Sequence, residues 1–199
     1  MPTSTVATEQ PLAPELRERQ RQFSAAKETA RSLSEGRTDE QFNWRPEPGR
    51  WSIAECLDHL HSTGSQLLPG MDAAIEQARN RGKSASGPFR YGWFDSWFIR
   101  GTGPMPATSK GMKHPKQYAP RADQPVDRVL PAFLELQDQL IQRLHTGNGL
   151  DLARIKISSP ILRLLRISLG AWFAATAGHQ ERHLTQARRV REHPGFPRS

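Results

Sequence analysis

The chain has 199 residues, 36% of them hydrophobic and 24% charged, which is typical of a folded globular protein rather than a disordered one. Its formal net charge of +8 at pH 7 could attract nucleic acid, anionic lipid or acidic small molecules. The arginines form no single run and accompany no nucleic-acid-binding motif, so we predict a solvated basic surface and no nucleic-acid partner.

Cysteine content and hydropathy indicate where the protein works. The single cysteine, Cys56, excludes an internal disulfide and fits a reducing compartment. Residues 1–10 lack the apolar stretch of a signal peptide. The most apolar stretch, residues 161–177, is too short for a membrane span and contains two arginines. We therefore expect a cytoplasmic protein with no membrane partner.

Apolar residues at helical spacing predict four long helices in one domain that covers residues 1–199. The predicted helices are residues 11–33, 52–78, 125–145 and 168–192. We expect loose tails at 1–10 and 193–199. Four helices of about twenty residues and no convincing sheet predict an all-α protein with a four-helix bundle.

The second predicted helix has the clearest start. Ser52 and Glu55 have the spacing of a capping box, in which each side chain pairs with a backbone amide of the other residue. Pro69 and Gly70 should bend or break this helix.

Between the second and third helices lies a long connection, residues 80–124, which we expect to be irregular. Six aromatic residues cluster within residues 89–98 of it, and it also contains several glycines and prolines. Long connections in compact domains are often functional, and so many aromatic residues argue against disorder. We expect this segment to pack over one end of the bundle.

Two histidines on the last helix are the strongest candidates for chemistry. His179 and His183 are one helical turn apart, close enough to share one metal ion. The alternative is a pair of structural histidines that hydrogen-bond within the core. Both positions follow the apolar spacing of this helix, which directs them toward the bundle interior.

A catalytic ion needs a third ligand, and helical spacing does not choose it. The candidates are His59 and His61 on the second helix, His114 in the long connection and His145 at the end of the third helix. His59 and His61 are two residues apart, so both cannot point inward. This choice stays open on physical grounds.

Two segments resemble the DinB/YfiT-like superfamily. Residues 42–59 read Phe-Asn-Trp-Arg-Pro-Glu-Pro-Gly-Arg-Trp-Ser-Ile-Ala-Glu-Cys-Leu-Asp-His, which is similar to the superfamily's proline-glycine turn, Trp-Ser helix start and histidine eight residues after the tryptophan. Residues 179–186, His-Gln-Glu-Arg-His-Leu-Thr-Gln, resemble its last-helix motif. The resemblance covers most of residues 12–191. It implies an up-down-down-up four-helix bundle in which His59, His179 and His183 hold a divalent metal ion.

The resemblance also implies a range of functions. It predicts zinc or nickel as the ion, a small-molecule substrate that is anionic or a thiol, and a homodimer. The reaction would be either hydrolysis or the transfer of a low-molecular-weight thiol. If it is thiol transfer, such a thiol would be a second cofactor. The alternative is a bundle that binds a small ligand or acts in a stress response without catalysis.

Two further groups of residues could serve such a site, although each has a simpler explanation. Arg163, Arg166 and Arg182 could anchor an anionic substrate, or they could be ordinary solvated residues. Three tryptophans could line a pocket or pack in the core: Trp51, Trp93 and Trp97.

Overall fold

The computed structural model describes residues 11–104, 118–160 and 164–198. Within them lie helices α1 (Pro14–Ser34), α2 (Asp39–Asn43), α3 (Ile53–Ser65), α4 (Leu68–Asn80), α5 (Trp93–Thr102), α6 (Val126–Gly147) and α7 (Leu169–Arg191), and strands β1 (Lys156–Ser158) and β2 (Arg166–Ser168). No described helix has the length and hydropathy needed to cross a bilayer.

The four predicted helices are present. α1, α6 and α7 match three of them to within a few residues, and the predicted helix 52–78 is divided into α3 and α4. The division falls at Gln66 and Leu67, and Pro69 is the second residue of α4. Proline is tolerated there because the first backbone amides of a helix have no partner within the helix. The expected break at this proline is confirmed.

The long helices pack as a bundle. α1 and α3 each pack against both α6 and α7. At one crossing, α3 comes so close to α6 that a Cβ atom on Gly64 would lie 2.7 Å from Leu136 Cδ2. The predicted all-α four-helix bundle is therefore confirmed.

The apolar interior forms two clusters, one toward each end of the bundle. On α7 the first cluster ends at Ala177 and the second begins with Leu184. α1 and α7 pass from the first cluster to the second, whereas α3 and α6 pass from the second to the first. Polar side chains lie where the two clusters meet, and we call them the polar layer: His59, Gln137, Thr176, His179, Gln180 and His183.

The connection between the second and third predicted helices contains a helix that was not predicted. α5 lies within residues 80–124 and packs along α7, where the Phe98 ring meets Trp172 with 5.0 Å between centroids. It therefore covers the side of α7 rather than an end of the bundle. Residues 105–117 lie outside the described part of the chain.

Two other differences concern short segments. β1 and β2 form an antiparallel hairpin in which Ile157 pairs with Ile167, whereas no sheet was expected. Strands of three residues are too short for an alternating pattern to be recognised. Near the C-terminus, Phe196 is buried against Trp44, and the Gln41 side chain donates to the Pro197 carbonyl (3.1 Å). The expected loose tail is thus packed as far as Pro197, while residues 1–10 lie outside the described chain.

Candidate metal centre

The start of α3 determines where His59 points. Ser52 Oγ accepts from the Glu55 amide (3.1 Å), and the Glu55 carboxylate accepts from the Ser52 amide (2.9 Å), which confirms the capping box. The guanidinium of Arg45 also donates twice to Glu55, at 2.7 and 3.0 Å. These bonds fix the first turn of α3, so His59, one turn after Glu55, has a defined direction.

Three imidazoles meet in the polar layer: those of His59, His179 and His183. One nitrogen of each lies within 4.8 Å of the others. The Nε2 atoms of His59 and His179 are 3.3 Å apart. An ion bound tetrahedrally at about 2.05 Å from each nitrogen separates two ligands by about 3.3 Å, so this pair fits a zinc-like ion.

Hydrogen bonds select the tautomers that such an ion needs. His59 Nδ1 lies 2.8 Å from the carbonyl oxygen of Tyr118, which can only accept, so Nδ1 carries the proton. His183 Nδ1 donates to Gln186 Oε1 at 3.1 Å. In both rings the proton on Nδ1 leaves the Nε2 lone pair available to a metal.

The charge state of His179 also favours metal binding. Burial lowers the pKa of this imidazole well below its ordinary value, and the neighbouring His183, His59 and Arg182 lower it further. His179 is therefore neutral near pH 7. A metal ligand must be in this form, because a protonated imidazole has no free lone pair.

The contact between His59 and Tyr118 is held by a salt bridge. Asp58 is buried and accepts from the Arg121 amide (2.8 Å), from Nε (3.1 Å) and from Nη2 (2.5 Å). Arg121 thereby anchors the segment that carries Tyr118 onto α3. Asp58 is thus a positioning residue for His59, although it does not itself face the other imidazoles.

Trp51 forms one wall of the site. Its ring stacks on His183 at an interplanar angle of 27° and lies 4.8 Å from the His59 ring, measured between centroids. The residue is only partly buried, so this wall is near the surface. Of the three tryptophans considered from the sequence, Trp51 lines the site. The other two, Trp93 and Trp97, lie on α5 and are 81% and 57% exposed.

α5 is fastened to α7 beside the imidazoles. A Cβ atom on Gly178 would lie 3.2 Å from the Cα of Gly103, so glycine permits a close approach. Arg182 donates from Nε to the Gly103 carbonyl (2.8 Å) and from Nη2 to the Gly101 carbonyl (2.6 Å). Arg182 therefore caps the C-terminal end of α5 and is engaged structurally, rather than being a free anchor for substrate.

The other candidate residues lie elsewhere. His61 on α3 and the exposed His145 at the end of α6 are not part of the histidine cluster. Arg166 lies in β2 and is exposed. His114 and Arg163 lie outside the described residues.

Comparison with known proteins identifies the family. The model of the DinB superfamily matches residues 22–187, which is most of the chain. The chain belongs to the DinB superfamily. Both sequence segments that carried the resemblance, and all three clustered histidines, lie within the matched residues.

The fold comparison agrees with this DinB assignment. Among solved structures, the chain is similar to YfiT from Bacillus subtilis, described as a probable metal-dependent hydrolase with an unusual four-helix bundle topology. The TM-score is 0.58 and the identity 13%, with 99% of this chain and 94% of that chain covered. At this identity the likeness concerns the fold alone. No curated protein matches the chain.

Proposed function

We propose that His59, His179 and His183 bind a divalent ion, zinc or nickel, and that the protein is a metal-dependent enzyme acting on a small molecule. The observation that carries this proposal is the convergence of three imidazole nitrogens, two of them with tautomers fixed for metal binding. The description of YfiT as a probable metal-dependent hydrolase supports the same class of activity.

Three neutral imidazoles would leave the double positive charge of the ion uncompensated and one coordination position open. Such an ion lowers the pKa of a bound water or thiol, which suits hydrolysis or thiol transfer. The residues around it favour an anionic ligand, because Asp58 already pairs with Arg121 and the three imidazoles carry no negative charge. The reaction that we propose is either hydrolysis or the transfer of a low-molecular-weight thiol.

The protein's own thiol does not take part in this proposal. Cys56 is fully buried on α3, and burial raises the pKa of its thiol, with a smaller contribution from Glu55. A thiol that reacts at the site would therefore come from a bound small molecule. The cytoplasmic location and the homodimer stay predictions.

Metal analysis tests the proposal directly. The purified protein, before and after incubation with zinc or nickel, is compared with the variants His59→Ala, His179→Ala and His183→Ala. We expect stoichiometric metal in the wild type and its loss in each variant. The matched control is His61→Ala, two residues along the same helix, which should keep the metal.

Two results would contradict the proposal. A wild type that stays free of metal after incubation with both ions would make the three histidines structural. If His61→Ala lost the metal while His59→Ala kept it, the proposed third ligand, His59, would be wrong. If a small ligand bound equally well with and without the metal, the non-catalytic alternative would be favoured instead.

A further inference from the structure

The face of α7 that carries the histidines extends beyond them. Trp172, Thr176, His179 and His183 are spaced by four, three and four residues, so they lie on one side of the helix. With a rise of about 1.5 Å per residue, Thr176 lies about 4.5 Å and Trp172 about 10.5 Å along the axis from His179. Both precede the histidines on the helix.

These two residues have buried polar atoms without partners in the described part of the chain. Trp172 is 8% exposed and Thr176 is 7% exposed, and neither Trp172 Nε1 nor Thr176 Oγ1 has a hydrogen-bond partner there. Gln180, beside His179, is 2% exposed, and both its amide nitrogen and its amide oxygen lack partners there. Folded proteins pair more than about 90% of their buried polar groups, so three such residues spaced by four along one helix indicate a ligand or ordered water.

The orientation of the indole ring is fixed by its neighbours. The Phe98 ring of α5 packs edge-on against Trp172 at an interplanar angle of 76°. α5 is itself held to α7 by Arg182. The indole ring, whose N–H is unpaired among the described residues, is therefore held in place and is not a mobile surface group.

The chemistry of these groups selects a hydrogen-bond acceptor. The indole N–H of Trp172 can only donate and the hydroxyl of Thr176 can donate, whereas the amide of Gln180 can both donate and accept and does not distinguish between ligands. The single acidic residue within α7, Glu181, is exposed, so no carboxylate of this helix opposes an anion on its buried side. A carboxylate of a ligand would satisfy these donors without repulsion from α7.

We propose that Trp172 and Thr176 form a subsite for the carboxylate of a small molecule whose other end reaches the three histidines. The inference rests on the proposed function for the metal-binding end of that molecule. The substrate class is then a short carboxylic acid that carries a metal-binding group, such as a thiol, a few bonds from the carboxylate.

The test compares two probes that differ in the carboxylate. Zinc-loaded protein is titrated with mercaptopropionate and with mercaptopropanol, and binding is followed by calorimetry and by the indole N–H resonance of Trp172, which is assigned with Trp172→Phe. Mercaptopropionate should bind at least about tenfold more tightly, as expected for even one hydrogen bond to a charged group. It should also move the Trp172 resonance, whereas mercaptopropanol should not.

Variants assign the preference to the subsite. Thr176→Val and Trp172→Phe should each reduce the preference for the acid while the zinc content stays unchanged. The matched control is Thr185→Val on the same helix, whose hydroxyl donates to Glu181 and not into the site. This variant should keep the full preference.

Failure of the subsite can be distinguished from failure of the metal site. If the protein holds no zinc, propionate and propanol serve as probes, and propionate alone should still move the Trp172 resonance. Equal binding of acid and alcohol, a resonance that neither probe moves, or a preference that survives both Thr176→Val and Trp172→Phe would overturn the inference. In these cases the buried donors bind water only.

Discussion

The carboxylate of Asp58 holds the segment that fixes His59, so replacing it with asparagine should weaken metal binding. Asparagine keeps one oxygen that can accept from the Arg121 amide, but it loses the charge and the second acceptor used by the guanidinium. The segment that carries Tyr118 should then be held less firmly. His59 would in turn be oriented less strictly.

The size of the effect follows from these contacts. A hydrogen bond to a charged group contributes about 1.5 to 3 kcal/mol, but the Arg121 side chain is 54% exposed and returns to water when the pair is broken. We therefore expect a loss of about 1 to 2 kcal/mol in unfolding free energy. Groups that orient a metal-binding histidine typically change metal affinity by about 10- to 100-fold, and we expect the lower end because the direct partner is a backbone carbonyl.

The assay measures zinc affinity by competition with a chromophoric chelator, and stability by urea unfolding of metal-free protein. The matched control is Asp95→Asn on α5, since the Asp95 side chain is equally buried and pairs with Lys156 at 2.8 Å, away from the histidines. The control should lose stability and keep its zinc affinity. The reasoning is refuted if Asp58→Asn binds zinc as the wild type does, or if the control loses as much affinity.

Three further predictions concern single residues. Burial and, to a lesser extent, Glu55 raise the pKa of the Cys56 thiol. The thiol should therefore resist a thiol reagent in the folded protein and react in urea. Rapid labelling of the folded protein would show that Cys56 is accessible. Gly64→Ala should cost about 1 to 3 kcal/mol in urea unfolding, because the new methyl group would lie 2.7 Å from Leu136 Cδ2; unchanged stability would mean that the leucine moves freely. Burial acts to raise the pKa of Asp95, but hydrogen bonds from Lys156 and Ser168 outweigh it and lower the pKa below its ordinary value of 3.8. Its carboxylate therefore contributes stability above about pH 4, and this stability is lost as the pH falls through the lowered pKa. The unfolding free energies of the wild type and Asp95→Asn should therefore converge in acid. A difference that stays constant with pH would contradict this.

The long helices could be predicted because their apolar residues repeat with the helical period over many turns. α5 was missed although Trp93, Phe94, Trp97 and Phe98 have helical spacing, because ten residues between glycines are easily taken for a loop. The hairpin is shorter still, and its two strands are defined by pairing with each other rather than by local sequence. Short elements depend on tertiary contacts, which a local pattern does not contain.

The candidate site, like the fold, could be predicted from the sequence only in part. The spacing of His179 and His183 was visible in the sequence, whereas helical phase could not choose between His59 and His61. The structure brings His59 into the cluster, where its Nδ1 meets the Tyr118 carbonyl, 59 residues away in the chain. A local signal for the positioning role of Asp58 did exist, since it is an acidic residue within the apolar stretch of α3.

The polar layer also determines how the helices align. If α7 slid by one turn, about 5.4 Å, the His179 ring would leave the His59 ring and would face apolar side chains, so one alignment is strongly preferred. An ion held by His59 and His179 would tie α3 to α7 at this level. Metal binding would then stabilise the folded state by mass action, and the melting temperature should rise steadily with the logarithm of the free metal concentration above the dissociation constant. The bundle would thus report its own metal occupancy through its thermal stability.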